Sequence, residues 1–148
     1  EVKKLSDELM EEFCKLIQGL LESWNFIDIS CENAVCFNKK DNDVIVNSKT
    51  KSSYGKGARA IINSSFIIAI LLYCKQNGLP HPGFVVLDSP LTTYKEKDKH
   101  NNEKNEECST DFQIIIFDNE TPPEDLCGIT YHHFTGNPDI DRTGFIPN

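Results

Sequence analysis

A glycine-bearing segment directly before a long apolar run contains residues that could bind an anion. The segment reads Ser52-Ser-Tyr-Gly-Lys-Gly-Ala-Arg59, and the run after it has the composition of a buried helix. Backbone N–H groups at a helix start, together with the positive end of the helix dipole, attract phosphate and other anions. The segment is not a P-loop, because Lys56 is followed by Gly57 rather than by Ser or Thr. Glycines before a helix are also common as plain loop residues, so the segment alone does not define a site.

A second candidate site is a carboxylate at the end of a hydrophobic run. Residues 84–87 are Phe-Val-Val-Leu, and Asp88-Ser-Pro-Leu91 follows them. Ligands of open α/β sheets bind at the carboxyl ends of the strands, and a carboxylate there suits Mg²⁺ carried by a nucleotide. An Asp that caps a turn after a strand is the structural alternative.

Another apolar run, residues 112–117, ends in Asp118-Asn-Glu120. Continuous apolar runs are typical of strands covered on both faces, and the order strand, helix, strand favours a parallel α/β core. Asp88, Asp118 and Glu120 would then lie at the ends of adjacent parallel strands, where they could hold one or two Mg²⁺ for phosphodiester cleavage. A metal-dependent nuclease is therefore an alternative interpretation.

The elements that position these residues begin with an amphipathic helix within residues 1–26. Apolar residues recur there every three or four positions, and Ser6 is a suitable N-cap. This helix could be a core element or the root of a coiled coil. Residues 33–47 predict a hairpin with a polar turn. Residues 53–77 predict the glycine segment and a helix buried on several sides, which Gly78 ends.

The second half of the chain predicts strands joined by a polar insertion. We expect a strand at 83–91, an exposed or disordered insertion at 95–111, and C-terminal strands and a tail at 112–148, including a short strand at 129–131. A length of 148 residues is sufficient for one buried core, so a single domain, 1–148, is expected.

Composition excludes several classes of protein. A formal net charge of −8 argues against a DNA-binding surface on this chain, although DNA could bind other regions of a parent protein. No apolar run reaches the roughly 18 residues of a membrane span, so no membrane is expected.

The six cysteines show no zinc spacing and are interpreted as reduced thiols of a cytoplasmic protein. The first residue is Glu, and no signal-peptide pattern follows, which suggests a fragment or a processed chain.

The order of the two motifs resembles the C-terminal lobe of an ABC-type ATPase head: signature motif, signature helix, Walker B strand and D-loop. The stretches that carry the resemblance are 54–60, 79–91, Phe134-Thr-Gly136 and Arg142-Thr-Gly-Phe145. They are similar to uncharacterised bacterial and phage SMC-like ATPases over most of the chain. The implied fold is α/β, the C-terminal half of a P-loop NTPase, with a mostly parallel sheet, flanking helices and a small hairpin.

The resemblance also implies cofactors, partners and roles. ATP and Mg²⁺ are the implied cofactors, and the implied partners are an N-terminal P-loop lobe, on the same parent chain or another, and a second head in a head-to-head homodimer. Asp88 would orient the metal, and Ser89 would begin the D-loop. Such heads move attached coiled coils in DNA transactions or defence. The residues implied to contact the γ-phosphate of ATP across the dimer are Ser53, Gly55, Lys56 and Gly57, with support from Arg59.

Two positions depart from the pattern of these ATPases. The family places Glu directly after the Walker B Asp as the base, but Ser89 stands here, and Ser is a poor base at neutral pH. The strand that normally ends in the switch His is followed here by Asp118 and Asn119, of which Asn119 is the best substitute by position. ATP hydrolysis is thus expected only with a P-loop lobe. Both departures also fit a third interpretation, a catalytically degenerate module that docks to a partner.

Overall fold

The computed structural model describes residues 6–28, 33–88, 90, 111–118 and 129–134. Contacts divide the chain into two compact units, Glu1–Asn101 with Ser109–Thr121 and Asn102–Cys108 with Pro122–Asn148, where the sequence predicted a single domain. All helices and strands of the described residues lie in the larger unit. In chain order they are α1 (Asp7–Ser23), β1 (Val35–Asn38), β2 (Asp43–Val46), β3 (Lys49–Thr50), a 3-10 turn (Lys51–Ser53), α2 (Lys56–Gln76), β4 (Phe84–Asp88) and β5 (Gln113–Phe117).

Helix α1 is a core helix with a defined cap at each end. The Ser6 hydroxyl accepts a hydrogen bond from the N–H of Leu9 at 3.2 Å, as the sequence predicted, and such a cap contributes about 1 kcal/mol. The helix ends before residue 26 because Asn25 adopts a left-handed conformation and the N–H of Phe26 turns back to the Leu21 carbonyl at 2.8 Å. One face of α1 is buried, and its buried residues are Met10, Phe13, Cys14, Ile17 and Leu21.

The predicted hairpin is present as the first two strands of an antiparallel sheet with the order β1-β2-β3. Val35 lies opposite Val46, and both side chains are buried in the cluster that also contains the apolar face of α1. The two-residue strand β3 adds to β2 and was not predicted. This sheet leads directly into the 3-10 turn and then into α2.

Helix α2 contacts the rest of the larger unit on two sides. Ile61 and Ile62 belong to the cluster formed with α1 and the antiparallel sheet, whereas Ile68 and Leu71 pack with β4. Ile67 and Ile70 remain 39% exposed, so the burial predicted for this helix is incomplete. By length and composition alone α2 is long and apolar enough to cross a membrane. The sequence predicted no such segment. A partly buried core helix passes the same test.

The C-terminal end of α2 and strand β4 follow the predicted pattern. Gly78 is left-handed, and the N–H of Leu79 donates to the Cys74 carbonyl at 2.8 Å, which ends the helix as the Gly predicted. After the turn, β4 pairs with β5 in parallel, and Asp88 lies opposite Phe117. In the described residues these two strands form the whole parallel sheet, and the larger sheet is antiparallel, so a mostly parallel sheet is not seen there.

The expectation that β4 is covered on both faces is wrong within the described residues. Val85 is 6% exposed, whereas the next residue, Val86, is 47% exposed. Successive side chains of a strand point to opposite faces, and α2 covers only the face of Val85 and Leu87. The other face of β4 is therefore open to solvent. On β5 the face shared with Val85 and Leu87 is exposed too, since Ile116 is 52% exposed.

Residues 129–134 belong to the smaller unit and contain no strand, so the predicted strand at 129–131 is wrong. Their side chains are exposed, and the rings of Tyr131 and His133 stack with centroids 6.1 Å apart. Several predictions lie outside the described residues, and these concern Ser89, most of the polar insertion at 95–111, Asn119, Glu120 and the tail from residue 135.

Candidate functional site

The glycine segment forms the N-terminus of α2, as predicted. Gly55 is the N-cap in an extended conformation, and the first intrahelical hydrogen bond is donated by the N–H of Arg59 to the Gly55 carbonyl at 3.0 Å. The N–H groups of the three residues between them lie in the first turn, where they have no carbonyl partner inside the helix. The first turn contains no acidic residue. A long helix therefore presents free donors and a positive dipole end at Lys56.

The conformation of Gly55 does not require a glycine. Its φ is −63°, and a Cβ added to it would meet no atom within 4 Å. Glycine is used where φ is positive or where another group must approach the backbone closely. Gly55 has neither a positive φ nor a close neighbour, but Gly is also among the residues preferred at an N-cap.

The other residues of the predicted anion site lie around this helix start. Lys56 and Arg59 are exposed, and Gly57 is buried. Ser53 ends the 3-10 turn, where its hydroxyl lies 3.0 Å from the Thr50 hydroxyl. The structure thus brings the predicted anion-binding residues to one end of α2, with two cationic side chains at the surface.

Asp88 occupies the predicted position at the carboxyl end of β4. Because Asp88 and Phe117 are paired in a parallel register, Asp118 follows at the same edge of the sheet. The described residues contain no group of three or more His, Cys, Asp or Glu side chains that could hold a metal ion.

The two candidate sites belong to different elements of the larger unit. The glycine segment follows the antiparallel sheet and begins α2, and Asp88 ends a strand of the parallel sheet. Strand β4 packs on α2 through Ile68 and Leu71.

An exposed apolar surface on the parallel sheet was not predicted. Phe84 and Val86 of β4 and Phe117 of β5 share one face, because paired residues of parallel strands point to the same side. Each of the three is more than a third exposed. We call this surface the open sheet face. The sequence contained one signal for this surface. Residues 84–87 are all apolar, whereas apolar and polar residues usually alternate along a strand that is covered on one face.

The buried thiol of Cys14 is an unsuitable nucleophile. Burial, with a smaller effect from nearby Cys36, raises the pKa of Cys14 to about 11, so that the thiol is neutral at physiological pH. Cys36 is exposed. Lys15, Gln18 and Asn33 line an open polar groove on α1, which contains neither candidate site.

Comparison with models of known protein families, with curated protein sequences and with solved structures finds no match to this chain.

Proposed function

We propose that this chain is the C-terminal half of an ABC-type ATPase head of the SMC-like kind, which supplies a signature-like glycine segment and a Walker-B-like strand to an ATP-sandwich dimer. The observation that carries the proposal is the placement of the two sites. A helix with a glycine N-cap leads into a parallel strand pair whose carboxyl edge bears Asp88. In a sandwich of two heads, the glycine segment serves the nucleotide of the opposite head, and the strand serves its own.

The open sheet face supports the requirement for a further lobe. Parallel sheets are normally covered on both faces, and an open apolar strand pair is an aggregation hazard. Here Val86 is 47% exposed although it lies within the apolar run of residues 84–87. A P-loop lobe that contributes strands and a helix to this sheet would bury Phe84, Val86 and Phe117.

Each site has a definite role in this proposal. The free N–H groups of the first turn of α2, with Lys56, bind the γ-phosphate of ATP held by the partner head. Asp88 binds the Mg²⁺ that accompanies the nucleotide through its carboxylate oxygens. ATP supplies the negative charge that holds the two heads together. Turnover is slow, because Ser89 stands where a carboxylate base would orient water.

Reconstitution with a P-loop lobe tests the proposal. The chain is combined with a P-loop lobe, from the same parent gene or from another, and sedimentation is measured with and without Mg²⁺ and ATP. We expect the two lobes to form one head without nucleotide, and two such heads to associate only with Mg²⁺ and ATP. We expect Lys56→Ala to weaken the association of heads about ten-fold, because it removes a charge from the phosphate site. Lys49→Ala is the matched control, since Lys49 is an exposed lysine on β3 outside the helix start. Association of heads that ignores ATP, or equal behaviour of the two variants, would refute the proposal.

One observation favours a second candidate, the Mg²⁺-dependent nuclease. Asp88 and Asp118 leave the parallel sheet at the same edge, and carboxylates at such an edge can hold a metal that activates water. This candidate gives the glycine segment no role. A degenerate docking module is the third candidate, and it predicts ATP binding without turnover after the P-loop lobe is added.

A further inference from the structure

The residues between β3 and α2 are fastened to β2 by two side-chain contacts. The Tyr54 hydroxyl donates a hydrogen bond to the Val46 carbonyl at 2.7 Å. The Lys51 ammonium lies 2.9 Å and 2.8 Å from the two carboxylate oxygens of Asp43. All four residues of these contacts are at least partly shielded from solvent, so both contacts are stronger than pairs fully in water. We call these two contacts the β2 clamp.

The Tyr54 ring adds a third contact to the same region. Its centroid lies 6.2 Å from that of Phe26, the residue that follows the left-handed turn after α1. Burial raises the pKa of Tyr54 above its ordinary value, so the hydroxyl keeps its proton and remains a donor at neutral pH. The residue directly before the N-cap is thus held by both its ring and its hydroxyl.

The N-cap itself cannot orient the start of α2. Gly55 has no side chain, and the first turn therefore receives no side-chain cap bond from it. A serine or aspartate at that position would have fixed the first N–H groups directly. Tyr54 and Lys51, which precede the N-cap, are held to β2 by their side chains.

We propose that Tyr54 and the Lys51–Asp43 pair are positioning residues, which hold the anion-binding end of α2 in a fixed orientation on the antiparallel sheet. The identity of the anion, a nucleotide phosphate, rests on the proposed function. The clamp substitutes for the missing cap and leaves the backbone at Gly55 accessible. Its loss frees the first turn of α2 without unfolding the core.

The test uses the full chain and the variant Tyr54→Phe, which keeps the ring and removes the hydroxyl. Amide hydrogen exchange by NMR reports on local opening of the first turn at Arg59, Ala60 and Ile61. We expect exchange there to become about five-fold faster, as follows from the loss of one hydrogen bond. Lys51→Met should have a similar effect, because it removes the ion pair and keeps most of the aliphatic stem.

Two controls separate positioning from general stability. Ile62→Val removes one methylene from a fully buried side chain of α2 and destabilises the whole chain, but it should leave exchange of the first-turn amides unchanged. Tyr73→Phe removes a hydroxyl from another ring on the same helix, which packs on Phe13, and should also leave it unchanged. Equal exchange in Tyr54→Phe and in the unaltered chain would overturn the inference.

A second readout keeps the inference distinct from the proposed function. With the chain combined with a P-loop lobe, addition of ATP with Mg²⁺ should shift the amide signals of Gly55 and Gly57 in the unaltered chain, and the affinity should fall about five-fold in Tyr54→Phe but not in Ile62→Val. If ATP shifts neither amide in the unaltered chain, the nucleotide assignment fails, and the exchange data still decide whether the clamp positions the helix start. If ATP binds equally to all variants, the positioning role is wrong.

Discussion

Asp88, the last residue of β4, lies opposite Phe117, the last residue of β5, in a parallel register. Asp118 therefore follows at the same edge of the sheet as Asp88. This neighbourhood is what makes both an ATPase head and a nuclease chemically reasonable, because carboxylates at a sheet edge serve either a nucleotide-borne metal or a catalytic metal.

Substitution of these two aspartates separates the two functions. In the ATPase head, Asp88→Asn should abolish the ATP-dependent association of heads completed with the P-loop lobe, because the amide binds Mg²⁺ far more weakly, whereas Asp118→Asn should preserve it. In the nuclease, both variants should lose Mg²⁺-dependent cleavage of a DNA substrate. Sedimentation with ATP and gel electrophoresis of the DNA give the two readouts. Cleavage that disappears with Asp118→Asn would exclude the ATPase head as the complete account.

Two adjacent valines of β4 should differ sharply in their contribution to stability. Val85→Ala removes buried methyl groups that pack against α2, and it should lower the free energy of unfolding by about 2 kcal/mol. Val86→Ala acts on the open sheet face and should cost less than about 0.5 kcal/mol. Urea denaturation of the isolated chain measures both. Equal losses would mean that Val85 and Val86 do not differ in their packing against α2.

Val86, the exposed residue of this pair, also tests whether the open sheet face is a docking surface. Val86→Asp should leave the isolated chain folded, since Val86 is 47% exposed, but it should prevent assembly with the P-loop lobe, because it places a charge within the new interface. Circular dichroism checks folding, and sedimentation checks assembly. Normal assembly of Val86→Asp would show that the lobe binds elsewhere.

Reversal of the charge of Lys51 in the β2 clamp should lower the free energy of unfolding, and a compensating substitution of Asp43 should restore most of it. Lys51→Glu places two carboxylates together in a half-buried position and should cost about 1 kcal/mol, and Lys51→Glu with Asp43→Lys should recover most of it. Lys39 and Asp7 form the matched control, because both side chains of that ion pair are largely exposed and such pairs contribute little. Urea denaturation supplies the free energies. A loss in the double variant as large as the sum of the two singles would argue against the ion pair.

Cys14 should make the chain less stable in alkaline solution. Its pKa is raised to about 11 in the folded chain, first by burial, whereas the unfolded thiol titrates near about 8.5. The contribution of the neutral Cys14 thiol to the free energy of unfolding is fully present below the unfolded pKa. It is lost as the pH rises through the folded pKa, because the unfolded chain releases the thiol proton more readily than the folded chain does. Free energies of unfolding at pH 7, 9 and 10 should therefore fall less steeply in Cys14→Ala than in Cys74→Ala. Identical slopes would contradict the shift.

The local signals in the sequence placed the elements well. The three- and four-residue repeat predicted α1, Ser6 predicted its cap, and Gly78 predicted the end of α2, because helix periodicity and capping act over a few residues. The boundary of α1 was missed by a few residues, since the left-handed turn at Asn25 carries no Gly or Pro signal. The two-residue strand β3 was missed because its pairing with β2 is a tertiary contact.

The sequence by itself determined the helix start at Gly55, the strand that ends in Asp88 and the order in which they occur. Only the tertiary structure decided that the Tyr54 hydroxyl bonds to β2, and that Val86 faces solvent while Val85 does not. The physical reason is that caps and periodicity depend on neighbours within a turn, whereas the face a strand exposes depends on which distant element, here α2, packs against it.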